Sequence, residues 1–184
     1  MKHLLKPIAS LLAVLMLLPV VAFIVYDALV FWPHRDDMQA MLEKADPQDR
    51  MPPPMIRRYI FAQFQEGASP AAVVAWQLHR RYLPRRGTLN SLVRSMLWEQ
   101  LVRLHLSQEE ILGLYSTLIR NRQGQGLNAM SRHLFAKPLN ELSDQEAATV
   151  IAYLWAPSIF ERNPERLKVR RDKLLSRAQD GSTK

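Results

Sequence analysis

Ser107-Gln-Glu-Glu-Ile-Leu-Gly-Leu-Tyr115 is the stretch on which the reading of the fold turns. Ser107 and Glu110 stand three residues apart, the spacing of a capping box. The serine hydroxyl accepts from the amide of the third helical residue, and the carboxylate of that residue accepts from the serine amide. Ile111, Leu112, Leu114 and Tyr115 then supply an apolar face. Working outward, Ser143 and Glu146 repeat the device and open an apolar helix from Ala147 to Trp155, which Ala156-Pro157 ends. Upstream, Leu89, Leu92, Val93, Met96, Leu97, Leu101 and Leu104 recur at three- and four-residue steps behind Thr88, a candidate cap. Pro70 starts a helix through Trp76 and Leu78 to Tyr82, broken by Pro84 and Gly87. Gly124 and Gly126 mark a loop. Asn163-Pro164 is a cap followed by proline at the first helical position, opening a strongly basic helix to about Ala178. No long segment shows the alternation of a half-buried strand. The expected class is all-α.

The N-terminus sets the compartment. From Ile8 to Tyr26 no residue is charged, and crossing a hydrocarbon core takes roughly 20 residues. Lys2 and Lys6 precede the run, the pattern of a cytoplasmic N-terminus, and Tyr26, Phe31 and Trp32 follow it at the opposite interface. A cleaved signal peptide is the competing reading. Against it, the run is longer than a usual signal core and no small-x-small site follows. A buried core helix would show a polar face, and this run has none. The expected layout is a signal anchor over 1–32, a linker over 33–54, a helical domain over 55–178 and a tail over 179–184. Pro33 stops the first helix, Asp36 to Lys44 form an amphipathic turn or two, and Pro52, Pro53 and Pro54 forbid continuation.

Composition agrees. The chain has 184 residues, which suits one domain plus an appendage, and only 6 glycines. It has no cysteine, so neither a disulfide nor a thiolate metal site can form. The net charge of +8 points to an anionic partner. Lipid headgroups or a phosphorylated lipid suit an exported domain, and nucleic acid does not. His3, His34, His79, His105 and His133 show no metal-ligand spacing, Gly124-Gln-Gly126 is a turn rather than a phosphate loop, and there is no Gly-x-Ser-x-Gly elbow. No metal or cofactor is expected.

Several of these stretches together resemble a known family. Ser107 to Tyr115 is followed by Leu134-Phe-Ala-Lys-Pro-Leu-Asn-Glu-Leu-Ser-Asp-Gln-Glu-Ala-Ala148. Ala156-Pro-Ser158, Asn163-Pro164 and Arg170-Arg-Asp172 continue in order, and Gln77-Leu78, Arg80, Tyr82-Leu83 and Thr88-Leu89 extend the match upstream. The set resembles the family 51 glycosyltransferase domain of penicillin-binding proteins and monofunctional peptidoglycan polymerases, over roughly 55–178. The resemblance implies a membrane anchor in the bacterial inner membrane and a lysozyme-like helical domain in the periplasm. The implied chemistry is polymerisation of lipid II into glycan strands. A glutamate acts as base on the acceptor hydroxyl, and basic residues stabilise the lipid diphosphate that leaves.

The departures fall on the catalytic positions. The family's Glu-Asp-x-x-Phe motif meets Arg57-Arg-Tyr-Ile-Phe-Ala-Gln-Phe-Gln-Glu-Gly67. One register places Arg57 and Arg58 at the acidic pair, and another places Gln63 there. Only Gln77 survives of Gly-Gly-Ser-Thr-Ile-Thr-Gln-Gln. The glutamate of Arg-Lys-x-x-Glu becomes Ser95, and the asparagine after the Leu-Tyr pair becomes Thr117. Neither an amide nor a hydroxyl replaces a carboxylate base.

Two replacement acids stand near these positions. Glu66 is close to the first motif, and Glu99 lies one turn after Ser95. Gln77, Arg80, Arg81, Arg94 and Arg103 are the candidates for holding a lipid diphosphate. The C-terminal set Arg162, Arg166, Lys168, Arg170, Arg171, Lys173 and Arg177 reads as a solvated or lipid-facing surface. Trp76, Trp98 and Trp155 read as core or membrane-contact residues. The expectation is a catalytically impaired relative that binds lipid II, nascent glycan or a partner in the cell-wall machinery. The alternatives are an active polymerase with a relocated site, and an interaction domain that keeps only the fold.

Overall fold

The computed structural model describes residues 15–64, 68–83, 88–121 and 124–180, without the side chains of 88–90 and 121. Two compact units divide the chain, Met1–Met38 and Gln39–Lys184. The architecture is all-α.

Helical backbone runs over Leu15–Glu43 (α1), long and apolar enough to cross a membrane. At 1.5 Å per residue it spans about 43 Å, against roughly 30 Å of hydrocarbon. Leu15, Leu17, Leu18, Val21 and Ile24 are exposed on it, which suits lipid and not water. Pro33 does not stop this helix, contrary to expectation. A π turn over Asp27–Phe31 leads into a 3-10 turn over Trp32–His34, and Pro33 sits at the start of that turn. Proline at the start of a new turn is tolerated, because it does not have to continue the hydrogen-bond ladder of the turn before it. α-Helix then continues over Arg35–Glu43.

Residues 39–54, which read in sequence as the end of a linker, belong to the second unit. A short helix, Pro47–Arg50 (α2), is capped by Asp46, which accepts from the Gln48 amide at 2.9 Å. α2 rests on helix Gln108–Leu118 (α6) at Gly113, where a Cβ would come within 2.6 Å of the Arg50 carbonyl oxygen. Asp49 is buried and accepts from the Asn128 amide at 2.9 Å. It thereby caps helix Leu127–Phe135 (α7) from a distant part of the chain.

α6 is the central element, buried from Leu112 through Leu118. Helices Pro54–Gln63 (α3), Pro70–Tyr82 (α4) and Thr88–His105 (α5) precede it. Asp144–Tyr153 (α8), Pro157–Arg162 (α9) and Pro164–Asp180 (α10) close the chain. α4 packs on α5 and α6, while α3 packs on α8 and α10. Tyr59, Ile60, Leu78, Trp98, Leu101, Leu114, Leu127, Met130 and Ile151 fill the core between them. Both expected capping boxes are complete, at Ser107/Glu110 and Ser143/Glu146. Lys137 donates to Glu146 at 2.8 Å and, with the Ser143 amide, draws its carboxyl down to about 2.

The loop signalled by two glycines is a minimal antiparallel hairpin. Arg120–Asn121 (β1) pairs with Gly124–Gln125 (β2), with Arg120 opposite Gln125 and Asn121 opposite Gly124. Strands of two residues are too short to leave a periodic signal in sequence. Gly126 follows at φ +100°, and a Cβ there would fall 2.1 Å from an Asp49 carboxylate oxygen.

Candidate functional site

Among the described residues of the second unit, three cavities bear on the site. The first, about 420 Å³, lies between the end of α3, the start of α4 and the α5–α6 turn. Phe61, Phe64, Pro70, Leu106, Ile111 and Leu112 make it largely apolar, with Ser69, Gln108 and Arg103 at its polar side. The second, about 540 Å³, is lined by Gln63, Phe64, Trp76, Gln77, Arg80, Tyr115, Arg120 and Trp155 among others. The third, about 320 Å³, shares Trp76, Gln77, Arg80, Leu118 and Arg120 with the second and adds Arg81 and Gln125. The last two therefore form one groove along the exposed side of α4, closed at one end by the hairpin.

The expected diphosphate-binding residues split into two groups. Gln77, Arg80 and Arg81 fall within about one turn of α4 and line the groove. Arg94 and Arg103 belong to α5 and line neither part of it. Arg94 lies near His79, a buried imidazole whose pKa is lowered by burial and by that guanidinium. Arg103 borders the first cavity instead.

Glu99 is engaged with that arginine. Its carboxylate accepts from Arg103 Nη2 at 2.8 Å and from Ser69 Oγ at 3.0 Å. Ser69 in turn accepts from Arg103 at 2.8 Å and from the Ala72 amide at 3.1 Å, as the cap of α4. The carboxylate thus ties α5 to the start of α4 and lines none of the three cavities. Glu66 lies outside the described residues.

Where the sequence shows amides and cations in place of acids, the two registers have different fates. Arg57 reaches the Pro52 carbonyl at 2.7 Å and Glu109 at 3.4 Å, and Arg58 pairs with Asp144. Both acids sit in the first turns of helices α6 and α8, where negative charge is favoured. Gln63 instead faces the groove. The Tyr115 hydroxyl donates to its Oε1 at 3.5 Å, the limit of a hydrogen bond. Burial pushes the Tyr115 phenol up, so it remains a proton donor. Ser95 donates back to the Ser91 carbonyl at 2.8 Å and is occupied within its own helix.

The polar lining of the groove is therefore Gln63, Gln77, Tyr115, Arg80, Arg81, Arg120 and Gln125. None of the three cavities is lined by a described carboxylate. Neither Arg80 nor Arg120 is ion-paired among the described residues. Among the described residues such a surface can hold an anion and presents no carboxylate to accept a proton. No described cluster of three or more His, Asp or Glu side chains suits a metal.

Three groove residues escape a reading of the sequence as site residues. Arg120 is presented by the two-residue hairpin, and only the glycine spacing hints at that turn. Trp76 and Trp155 have the sequence surroundings of core or membrane-contact residues, but both line the groove. Trp98 alone of the three is in the core. Arg170 belongs by sequence to a solvated face, yet it is half-buried and stacks on Trp155 at 4.4 Å.

A family model described as Transglycosylase matches residues 53–179, which brackets every motif of the resemblance drawn from the sequence. No curated protein matches the chain.

Proposed function

The chain belongs to the transglycosylase family, and from that premise we propose that it binds a lipid-diphosphate-linked glycan, lipid II or the nascent strand, without polymerising it. Its relationship is to the peptidoglycan glycosyltransferases. The observation that carries the reading is the lining of the groove at α4, with amides at Gln63 and Gln77, guanidinium groups at Arg80, Arg81 and Arg120, and no described carboxylate. Sugar transfer requires a base within hydrogen-bond reach of the acceptor hydroxyl, and an amide cannot serve. Recognition of a diphosphate requires only fixed cations and donors, and arginine supplies both. The engagement of Glu99 by Arg103 and Ser69 adds support, since a carboxylate committed to two donors is a poor candidate for a relocated base.

The anchor sets where binding takes place. Lys2 and Lys6 ahead of the apolar run favour a cytoplasmic N-terminus, which would put the second unit in the periplasm, facing lipid II and the cell-wall machinery.

The test is glycan-strand formation from purified lipid II by the full-length protein in detergent, with binding of lipid II in nanodiscs measured in parallel. The expected result is binding without strands, and binding weakened about tenfold in Arg80→Ala. Strands made by the parent and abolished in Glu66→Gln or Glu99→Gln would instead identify an active enzyme with a relocated acid. A folded protein showing neither binding nor strands would leave only the interaction-domain reading.

A further inference from the structure

The first cavity lies apart from the groove. Phe64 alone of its described lining also lines the groove, and its ring meets Tyr115 edge to face at 5.8 Å, a wall between the two spaces. The chemistry of the two differs as well. Phe61, Pro70, Leu106, Ile111 and Leu112 surround the first cavity with hydrocarbon, and its polar groups are Ser69, Arg103 and Gln108. These three come from the start of α4, the end of α5 and the first residue of α6. The volume of about 420 Å³ stands near the low end of the roughly 300–1,000 Å³ of ligand pockets, enough for one hydrocarbon chain.

The polar side is ready for an anion. Arg103 commits Nη2 to Glu99 and Ser69 and turns Nε toward Glu99. Neither its Nη1 nor the Gln108 side-chain amide makes a hydrogen bond among the described residues. No described carboxylate lines the cavity. The first-turn acids of α6 are taken, Glu109 by Arg57 and Glu110 by Gln39 and the Ser107 amide. A free guanidinium nitrogen beside an amide donor suits a phosphate oxygen.

The helix that supplies Arg103 points to the source of the chain. On α5, Leu92, Val93, Met96 and Leu104 are between 56% and 65% exposed. Val93, Met96 and Leu104 follow one another at helical spacing along a single face, and Leu92 stands one turn from Met96. The other face of the same helix buries Trp98, Leu101 and Val102. Glu99 is the sole acid of α5, against Arg94 and Arg103. An apolar surface with cations beside it suits the boundary of an anionic bilayer. The chain brings such a surface within reach, since its own apolar helix is long enough to cross a membrane.

We propose that the first cavity takes one acyl chain of an anionic bilayer phospholipid, with the lipid phosphate on Arg103 and Gln108. The exposed face of α5 lies on the bilayer beside it. The site does not depend on what the groove holds.

The experiment places the full-length protein in nanodiscs that contain phosphatidylglycerol with a diazirine near the end of one acyl chain. Adducts are mapped by peptide mass spectrometry after photolysis, and phosphatidylcholine with the same chains is the comparison. Adducts from phosphatidylglycerol are expected on peptides covering residues 61–71 and 106–112, with the apolar helix labelled by both lipids as an internal standard. Ala68→Trp puts an indole into the cavity from an exposed position and is expected to abolish the cavity adducts while the standard stays constant. Gln108→Glu adds negative charge at a helix start, where the fold tolerates it, and is expected to lower the cavity adducts about tenfold. Arg80→Ala, in the groove, is expected to leave them unchanged. Adducts confined to the apolar helix and the exposed face of α5 would overturn the site, as would equal cavity labelling by phosphatidylcholine or undiminished labelling in Ala68→Trp. Loss of the cavity adducts in Arg80→Ala, or their displacement by an equimolar polyprenyl phosphate, would also overturn it and join the cavity to the groove.

Discussion

At the scale of single residues, Asp49 is the carboxylate with the greatest conflict between position and solvation. Burial pushes its carboxyl up to about 7, against the opposing pull of the Asn128 and Leu127 amides at the start of α7. An acid with a folded pKa above its unfolded value destabilises the fold when ionised. That cost is fully present above about 7, shrinks as pH falls toward the ordinary value of 3.8, and is gone below it. Asp49→Asn mimics the protonated form and carries no such dependence. The wild type is therefore expected to gain thermal stability relative to Asp49→Asn as pH is lowered from 8 to 5, by roughly 3 °C or more. Melting curves of both proteins across that range test it, and a constant difference would mean that Asp49 stays ionised throughout. Gly126 is the neighbouring constraint. Its φ of +100°, and an Asp49 oxygen only 2.1 Å from where a Cβ would stand, leave no space for a side chain. Gly126→Ala is expected to cost about 2 kcal/mol or more, read from urea denaturation.

At the scale of elements, the join between α4 and α5 depends on Ser69, Glu99 and Arg103. Ser69→Ala removes the cap of α4 and one partner of each charged group, and is expected to cost about 1 kcal/mol. Glu99→Gln is expected to cost less, because the pair is partly exposed and an amide still accepts from Ser69. Chemical denaturation of the two variants orders them, and a larger loss in Glu99→Gln would show that the charge rather than the cap holds the join. Glu99 illustrates what a sequence can and cannot say. One helical turn from Ser95, it is a reasonable replacement base on spacing alone, but its partner Ser69 is thirty positions away and leaves no trace in that spacing. Elements with a local cause were legible: the two capping boxes, the start at Pro70 and the Asn163 cap, where the Arg166 amide donates to the side chain at 3.3 Å. Elements held by distant partners were not. Residues 39–54 have the proline and charge of a linker, and Asp49 belongs to the fold only because α7 supplies amides to it. The groove was half legible. Gln77, Arg80 and Arg81 share one helix, whereas Arg120 and Trp155 arrive from a hairpin and an interhelical turn.

At the scale of the whole molecule, function depends on which side of the membrane the groove occupies. An apolar helix fixes that the chain can cross, but its direction follows from the charges that flank it. Lys2 and Lys6 favour retention of the N-terminus in the cytoplasm, and a ligand carried on a periplasmic lipid demands the same orientation of the second unit. The composition provides a clean assay, because the chain contains no cysteine. Lys173 and Ser176 are in α10, where both are exposed and outside the groove. Lys173→Cys or Ser176→Cys therefore introduces one thiol on a background of none. Intact cells with a permeable outer membrane are expected to label at these positions with a membrane-impermeant maleimide, and a cysteine placed at Lys2 is expected to label only after the inner membrane is broken. The reverse pattern would put the groove in the cytoplasm, away from any polymerising strand, and would leave its cations to a different anionic partner.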